Sequence, residues 1–277
     1  MDAYDRRPAA RANPIAAIRS VNVKTHSIIQ VSRSPSQIQR IITMKRVNIW
    51  FARHWLLVLN VLVAVWVGLP WFAPVAMKLG FPTTGKAIYL LYSFQCHQLP
   101  ERSFFLFGRQ WMYSLSEIRS VWQNADNPFI LRQFIGNPEM GWKVAWSDRM
   151  ISMYTSILIG GLLYGLARKR IKPISIWTFA LLLVPMVIDG GTHMISDLKG
   201  IGLGFRDTNL WLQTLANNAF PLTFYQGDAL GSFNSWMRSI TGILFGLGLV
   251  WLAFHHLNES FEDVAVRSEA TLVRGLG

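Results

Sequence analysis

The sequence predicts an all-α integral membrane protein, a bundle of about five membrane-embedded helices joined by two long extracytoplasmic links. Three observations predict it. Of the 277 residues, 51% are hydrophobic and only 15% are charged, against about 25% charged in an average globular domain. Apolar runs long enough to cross a hydrocarbon core of about 30 Å recur along the chain. The basic residues, which give a formal net charge of +12, flank those runs and are not interleaved with aromatics on a soluble domain. That placement makes a lipid bilayer the expected partner and argues against nucleic acid. The single cysteine excludes an intramolecular disulfide.

Residues 1–43 read as a disordered basic tail, with Arg6, Arg7, Arg11, Arg19, Lys24, Arg33 and Arg40 and no long apolar run. Met44-Lys45-Arg46 is an alternative start. Residues 44–257 form a single membrane domain. Its first span runs from Trp55 to about Met77, with Asn60 as its one strongly polar side chain and Pro70 and Pro74 near its end. The second segment, Ala87 to Phe107, turns polar at Gln95, short of the roughly 20 apolar residues a span needs. It either crosses with a polar centre or breaks at Pro100 and re-enters. Gly108 to Asp148 is a polar link rich in tryptophan, expected at the membrane interface, with a short helix over Ser116 to Trp122. The third span is Met150 to Ala167 and the fourth Ile174 to about Ile195. A second link, Ser196 to Asn234, holds an amphipathic run from Thr208 to Phe220. The fifth span is Ser235 to Leu257. Gly160, Gly161 and Gly165, and Gly242, Gly246 and Gly248, supply small faces for close helix contact. Residues 258–277 read as a flexible C-terminal tail.

The turn Arg168-Lys169-Arg170-Ile171-Lys172 is expected to be cytoplasmic. The start of span three, the end of span four, the start of span five and the end of segment two then share the opposite face. The singular polar residues fall at these places: Cys96, His97, Glu101, Arg102, Arg149, Asp189, His193 and Arg238. Ionisable residues inside a membrane are functional candidates by default.

The run Cys96-His97-Gln98-Leu99-Pro100-Glu101-Arg102-Ser103-Phe104-Phe105 resembles the signature of a family of prokaryotic membrane proteins, domain of unknown function 2085. The resemblance continues at Ser147-Asp148-Arg149, at Pro185-Met186-Val187-Ile188-Asp189-Gly190-Gly191-Thr192-His193 and at Asn234-Ser235-Trp236-Met237-Arg238. It covers about residues 87–257 and implies a multi-pass protein of a prokaryotic cell membrane with no defined activity. Two departures weaken a shared metal site. Trp146 and Ser147 stand where the family has a second cysteine, and His193 stands where it has glutamine.

Two readings of the cluster remain open. Asp189 and His193 share a helix face, and with Cys96 and His97 they offer ligand types that suit zinc. Alternatively, Asp189 pairs with an arginine, Arg238 first and Arg149 or Arg102 next, because buried charges in membranes pair. A thiolate at Cys96 activated by His97 would need a spatial partner and an orienting group. No P-loop, dinucleotide fingerprint, zinc-protease helix or serine elbow is present. The functional expectations are a membrane-embedded site for a lipid or amphiphile, a transporter or proton-handling subunit, or a structural membrane partner.

Overall fold

The computed structural model describes residues 34–168 and 170–276. Of the tail expected over residues 1–43, residues 1–33 lie outside the described residues, as does Lys169 of the basic turn; residues 35–43 are helical and not disordered, the start of a helix that continues to Lys78. The helical bundle belongs to the unit Met44–Gly277.

Among the described residues, four helices are long and apolar enough to cross a membrane. They are α1 (Pro35–Lys78), α5 (Asp148–Ala167), α6 (Ile176–Asp197) and α10 (Phe233–Leu276). Pro70, Pro74 and Pro185 lie inside α1 and α6, as membrane helices tolerate where neighbouring groups satisfy the freed carbonyls. α6 opens on Ser175, whose hydroxyl accepts from the Thr178 amide. α10 packs along α5 and, less extensively, along α6. Glycine permits the closest approach: a Cβ at Gly246 would lie 2.0 Å from Ser156 Oγ, and one at Gly161 would lie 2.2 Å from Asn60 Oδ1.

Two apolar clusters fix which helix ends meet. Trp55, Tyr164, Val250 and Phe254 pack at one end of the bundle, beside the basic turn. Val67, Ala73, Tyr92 and Trp146 pack toward the other. The end of α1, the starts of α5 and α10 and the end of α6 therefore gather at one pole. Both long links lie there.

The second segment is not a span. It forms α2 (Pro82–Tyr92), a helix of 11 residues, too short to cross hydrocarbon. A turn and an extended stretch follow, with Gln98 in the left-handed region at φ 55°, and then a 3-10 turn over Pro100–Arg102. The polar groups from Gln95 onward end the helix, and Pro100 removes a backbone donor.

Where a mere polar link was expected, the chain builds a small antiparallel sheet: β1 (Ser103–Leu106), β2 (Gly136–Asn137) and β3 (Gly141–Ser147), in the order β1-β3-β2. Ser103 pairs with Ser147 and Phe105 with Lys143, with a bulge between. Between β1 and β2 stand α3 (Leu115–Val121) and α4 (Pro128–Leu131). α3 starts on a capping box in which Ser114 and Glu117 serve each other's backbone amides. The second link carries α7 (Phe205–Thr208), α8 (Leu210–Leu215) and α9 (Leu222–Tyr225). Where the sequence reading has a flexible tail after Asn258, α10 continues as helix to Leu276, with Ala265 buried and Glu269 paired to Arg53.

Candidate functional site

At the pole where the links gather, two chains of alternating charge run through the interior. The longer is Asp197–Arg102–Asp228–Arg238–Asp148. Arg102 grips Asp197 with both terminal nitrogens at 2.7 and 2.8 Å and reaches Asp228 through Nε at 2.7 Å. Arg238 bonds Asp228 at 2.5 Å and clasps Asp148 at 2.7 and 2.8 Å. This chain joins α6, the 3-10 turn, the second link, α10 and α5. The shorter chain is Arg149–Asp189–Arg206, each guanidinium 2.7 Å from a different oxygen of Asp189. It joins α5, α6 and α7. Forked guanidinium–carboxylate pairs are the geometry in which buried charges recover most of their desolvation cost.

Local structure places each member. Asp148 and Arg149 open α5, where an acidic side chain also meets the positive end of the helix dipole. Asp189, His193 and Asp197 recur every four residues, one face of α6. Gly190 leaves room for Arg149: a Cβ there would lie 2.9 Å from its Nη1. Arg238 follows Asn234 on the buried face of α10; Asn234 ties down the Arg206 and Gly227 carbonyls.

The first-choice pairing of Asp189 with Arg238 is therefore corrected. Arg238 is taken by Asp148 and Asp228, and Asp189 by Arg149, an expected alternative, and by Arg206, which the sequence reading did not single out. Asp197 and Asp228 were also missed. They sit in or beside the second link; Asp197 continues the four-residue spacing of Asp189 and His193, a cue the sequence offered, whereas no local pattern marks Asp228.

Cys96, His97, Arg102, Arg149, His193 and Arg238 line one cavity of about 380 Å³ together with Asp197 and Ser147. Met150, Met194, Leu198 and Ile201 give it an apolar side. Arg149 uses one terminal nitrogen on Asp189, and among the described residues its Nε has no partner. His193 Nε2 faces Arg206 at 3.1 Å, so it accepts and Nδ1 carries the proton; that Nδ1 is also buried without a partner. Cys96 Sγ lies 3.5 Å from Ser147 Oγ and accepts from the Gln98 amide at 3.3 Å. Ser147 thus faces Cys96 in the region where the resembling family carries a second cysteine. His97 is exposed, and no hydrogen bond joins it to Cys96 among the described residues, so the two do not form an activated nucleophile pair. Among the described residues, no three histidine, cysteine, aspartate or glutamate side chains are grouped to hold a metal. The zinc set of Cys96, His97, Asp189 and His193 is not assembled, because two guanidiniums occupy the Asp189 carboxylate.

Glu101 stands apart from both charge chains. It is 1% exposed, and neither carboxylate oxygen has a partner. Burial, opposed by Arg102, pushes its acid up to about 7. Lys143 on β3 is wholly buried, and its ammonium donates to the Gln98 and Arg132 carbonyls at 2.7 Å each. Burial, opposed by Glu101, brings it down to about 7. Asp228 behaves in the opposite way: burial would raise it, but Arg102 and Arg238 hold it far below the usual carboxylate range.

Residues 139–252 of this chain match the family described as predicted membrane protein (DUF2085). The chain is similar to that family, as its motifs indicate. The match takes in both charge chains except Arg102. A curated relative, an uncharacterized protein of Methanocaldococcus jannaschii, is 28% identical over 110 residues, 39% of this chain. The chain spans about half the length of that relative, 49% of it. No solved structure matches. What the family description and the apolar helices establish is a membrane protein in a lipid bilayer environment.

Proposed function

We propose that the cavity holds the anionic head of a lipid or lipid-like amphiphile at the outer surface of a multi-pass protein of a prokaryotic plasma membrane. The observation that carries this reading is the Arg149–Asp189–Arg206 set. Two guanidiniums share one carboxylate, and Arg149, which lines the cavity, leaves its Nε without a partner among the described residues. Three arginines line the wall against one acid, Asp197, while Asp148, Asp189 and Asp228, which also pair with them, are not among the lining residues. An anion there gains charge-assisted hydrogen bonds at little cost in ordering, because the ion pairs already hold the arginines in place. The apolar side formed by Met150, Met194 and Leu198 suits an acyl chain. The basic turn beyond α5 supports placing this pole outside.

The chemistry supported is binding and orientation. The test is thermal unfolding of the purified protein in a neutral detergent. It is titrated with short-chain amphiphiles bearing phosphate, zwitterionic or uncharged heads, and with inorganic phosphate alone. A ligand present at 100 times its Kd stabilises by about 2.7 kcal/mol. The phosphate amphiphile is expected to raise the melting temperature of the parent and not of Arg149→Gln. Stabilisation by inorganic phosphate alone would assign the site to a free anion. Equal effects of all heads would remove the reading.

A second reading, proton handling, is favoured by Glu101. A buried carboxylate without partners, close enough to Lys143 to feel its charge, can exchange a proton near neutral pH. Proton uptake on mixing with a pH indicator, present in the parent and lost in Glu101→Gln, would support it. Identical uptake in both would exclude it.

A further inference from the structure

We propose that the segment Thr208–Gly227 is a membrane-inserted element, lying in the interfacial layer of the leaflet beside α6 and α10. Between Asp207 and Asp228 the chain has no Asp, Glu, Lys, Arg or His. On that uncharged run, Leu210 is 61%, Leu215 78% and Phe220 53% exposed, and Trp211 and Leu222 also face outward. Water-facing links are not built this way. The link from β1 to β3 places Arg109, Glu117, Arg119, Arg132 and Glu139 at comparable intervals.

Depth comes from the ion pairs. Arg206, just before the run, bonds Asp189, and its backbone amide donates to Ser196 Oγ at 3.0 Å. Asp189 lies eight residues before the end of α6, about 12 Å along the helix axis at roughly 1.5 Å per residue. The second link therefore folds back along the last turns of α6 and does not stand above them. Gly204 makes the approach possible, since a Cβ there would lie 2.0 Å from Ser196 Oγ. From that level the run continues the apolar outer surface of the bundle. Met194 and Ile195 on α6, Leu198 just past its end, and Trp236 and Ile240 on α10 are exposed in the same region.

The backbone suits the position. The amides of Leu212, Gln213, Ala216, Asn217 and Asn218 all reach carbonyls within the run. Asn217 and Asn218 take the left-handed conformation that closes the turn after α8. With its backbone paired, no charge, and leucine, tryptophan and phenylalanine outward, the segment fits the boundary of headgroups and acyl chains. The occupant of this surface is lipid, whatever the cavity binds.

The test uses nitroxide labels on single cysteines in a Cys96→Ser background, in liposomes of the purified protein. Labels go on Leu215→Cys and Trp211→Cys, with Leu181→Cys on α6 as the lipid reference and Glu139→Cys as the water reference. Collisions with oxygen and with a water-soluble nickel complex are compared. The oxygen-to-nickel ratio at Leu215 and Trp211 is expected to be several-fold above that at Glu139 and near that at Leu181. A ratio equal to that at Glu139 overturns the proposal. Low collision with both reagents, the sign of a covering protein or a second copy, overturns it too. If Cys96→Ser does not fold, a photoreactive benzoylphenylalanine at Leu215 in the parent serves instead. Cross-links to lipid are expected, and cross-links between protein chains would refute lipid as the occupant.

Discussion

The link from β1 to β3 carries Arg109, Glu117, Arg119, Asp126, Arg132, Glu139 and Lys143; the link from Leu198 to Ser232 carries Lys199, Arg206, Asp207 and Asp228. The first has a core of its own in Phe105, Tyr113, Ile118, Phe134 and Met140, a three-stranded sheet and a capped helix. The second has little apolar interior, Ile201 and Tyr225 being its buried hydrophobic side chains among the described residues. It is fastened to the spanning helices by Arg206, Asp228 and the Asn209–Asn234 amide pair. The difference teaches where each link's order comes from. The first is stabilised by local packing and would survive changes in the bundle. The second is ordered by ion pairs, so whatever disturbs those pairs releases it first.

The largest effect is expected from Arg238→Met. Asp148 and Asp228 share this guanidinium, and breaking a buried pair costs about 3–5 kcal/mol because a charge is left uncompensated. Thermal unfolding in detergent should show a loss of that order. A loss below about 1 kcal/mol, as for an exposed pair, would mean that the chain Asp197–Arg102–Asp228–Arg238–Asp148 does not hold the pole together.

Arg206→Gln comes next, at about 1.5–3 kcal/mol for a hydrogen bond to a charged group. Its signature is local. Hydrogen exchange should accelerate over residues 199–232 and stay unchanged over residues 103–147. Equal acceleration in both links would abolish the contrast between them.

The pH dependence rests on Glu101, in the 3-10 turn just before the first link, and on Lys143 in β3. Glu101 is raised from 4.5 to about 7 in the folded chain, so the folded state binds more protons between those values. Its contribution is full below pH 4.5 and is lost as pH rises toward 7. Lys143 is lowered from 10.5 to about 7, so its contribution is full above 10.5 and is lost as pH falls toward 7. Together they predict a shallow minimum in stability near neutrality. Glu101→Gln should flatten the acid arm and Lys143→Met the alkaline arm, as read from melting temperatures at constant ionic strength. A minimum unaltered in both variants would assign it to other groups. The smallest effect is expected from Ser114→Ala, which removes one half of the capping box and should cost about 1 kcal/mol, with faster exchange confined to α3.

The apolar spans were legible because length and hydropathy alone define them; α5, α6 and the apolar part of α10 fall where the sequence puts them. The gathering of Cys96, Arg102, Arg149, His193 and Arg238 at one pole was also legible, since topology and the basic turn suffice to infer it. Partners were not. Asp189 could have met any of several arginines, and Arg206 wins because Gly204 lets the link press against Ser196, a contact between residues that no periodicity connects. The sheet was hidden for a related reason. β3 is buried almost throughout, so it lacks the alternation that marks a half-exposed strand, and β2 is only two residues long. The helix beyond Asn258 was obscured by its mixed charges, which here line an exposed helical face with Glu269 reaching Arg53.

Retention of lipid by the intact protein tests the central claim most directly. Protein reconstituted with equal amounts of a phosphate-headed anionic lipid and a zwitterionic one, then released from the membrane in a mass spectrometer, should carry the anionic lipid preferentially. Arg149→Gln should lose that preference, while Arg109→Gln, a change at an exposed arginine outside the cavity, should keep it. Equal retention of both lipids by the parent, or a preference that survives Arg149→Gln intact, would contradict the assignment of this cavity to an anionic amphiphile.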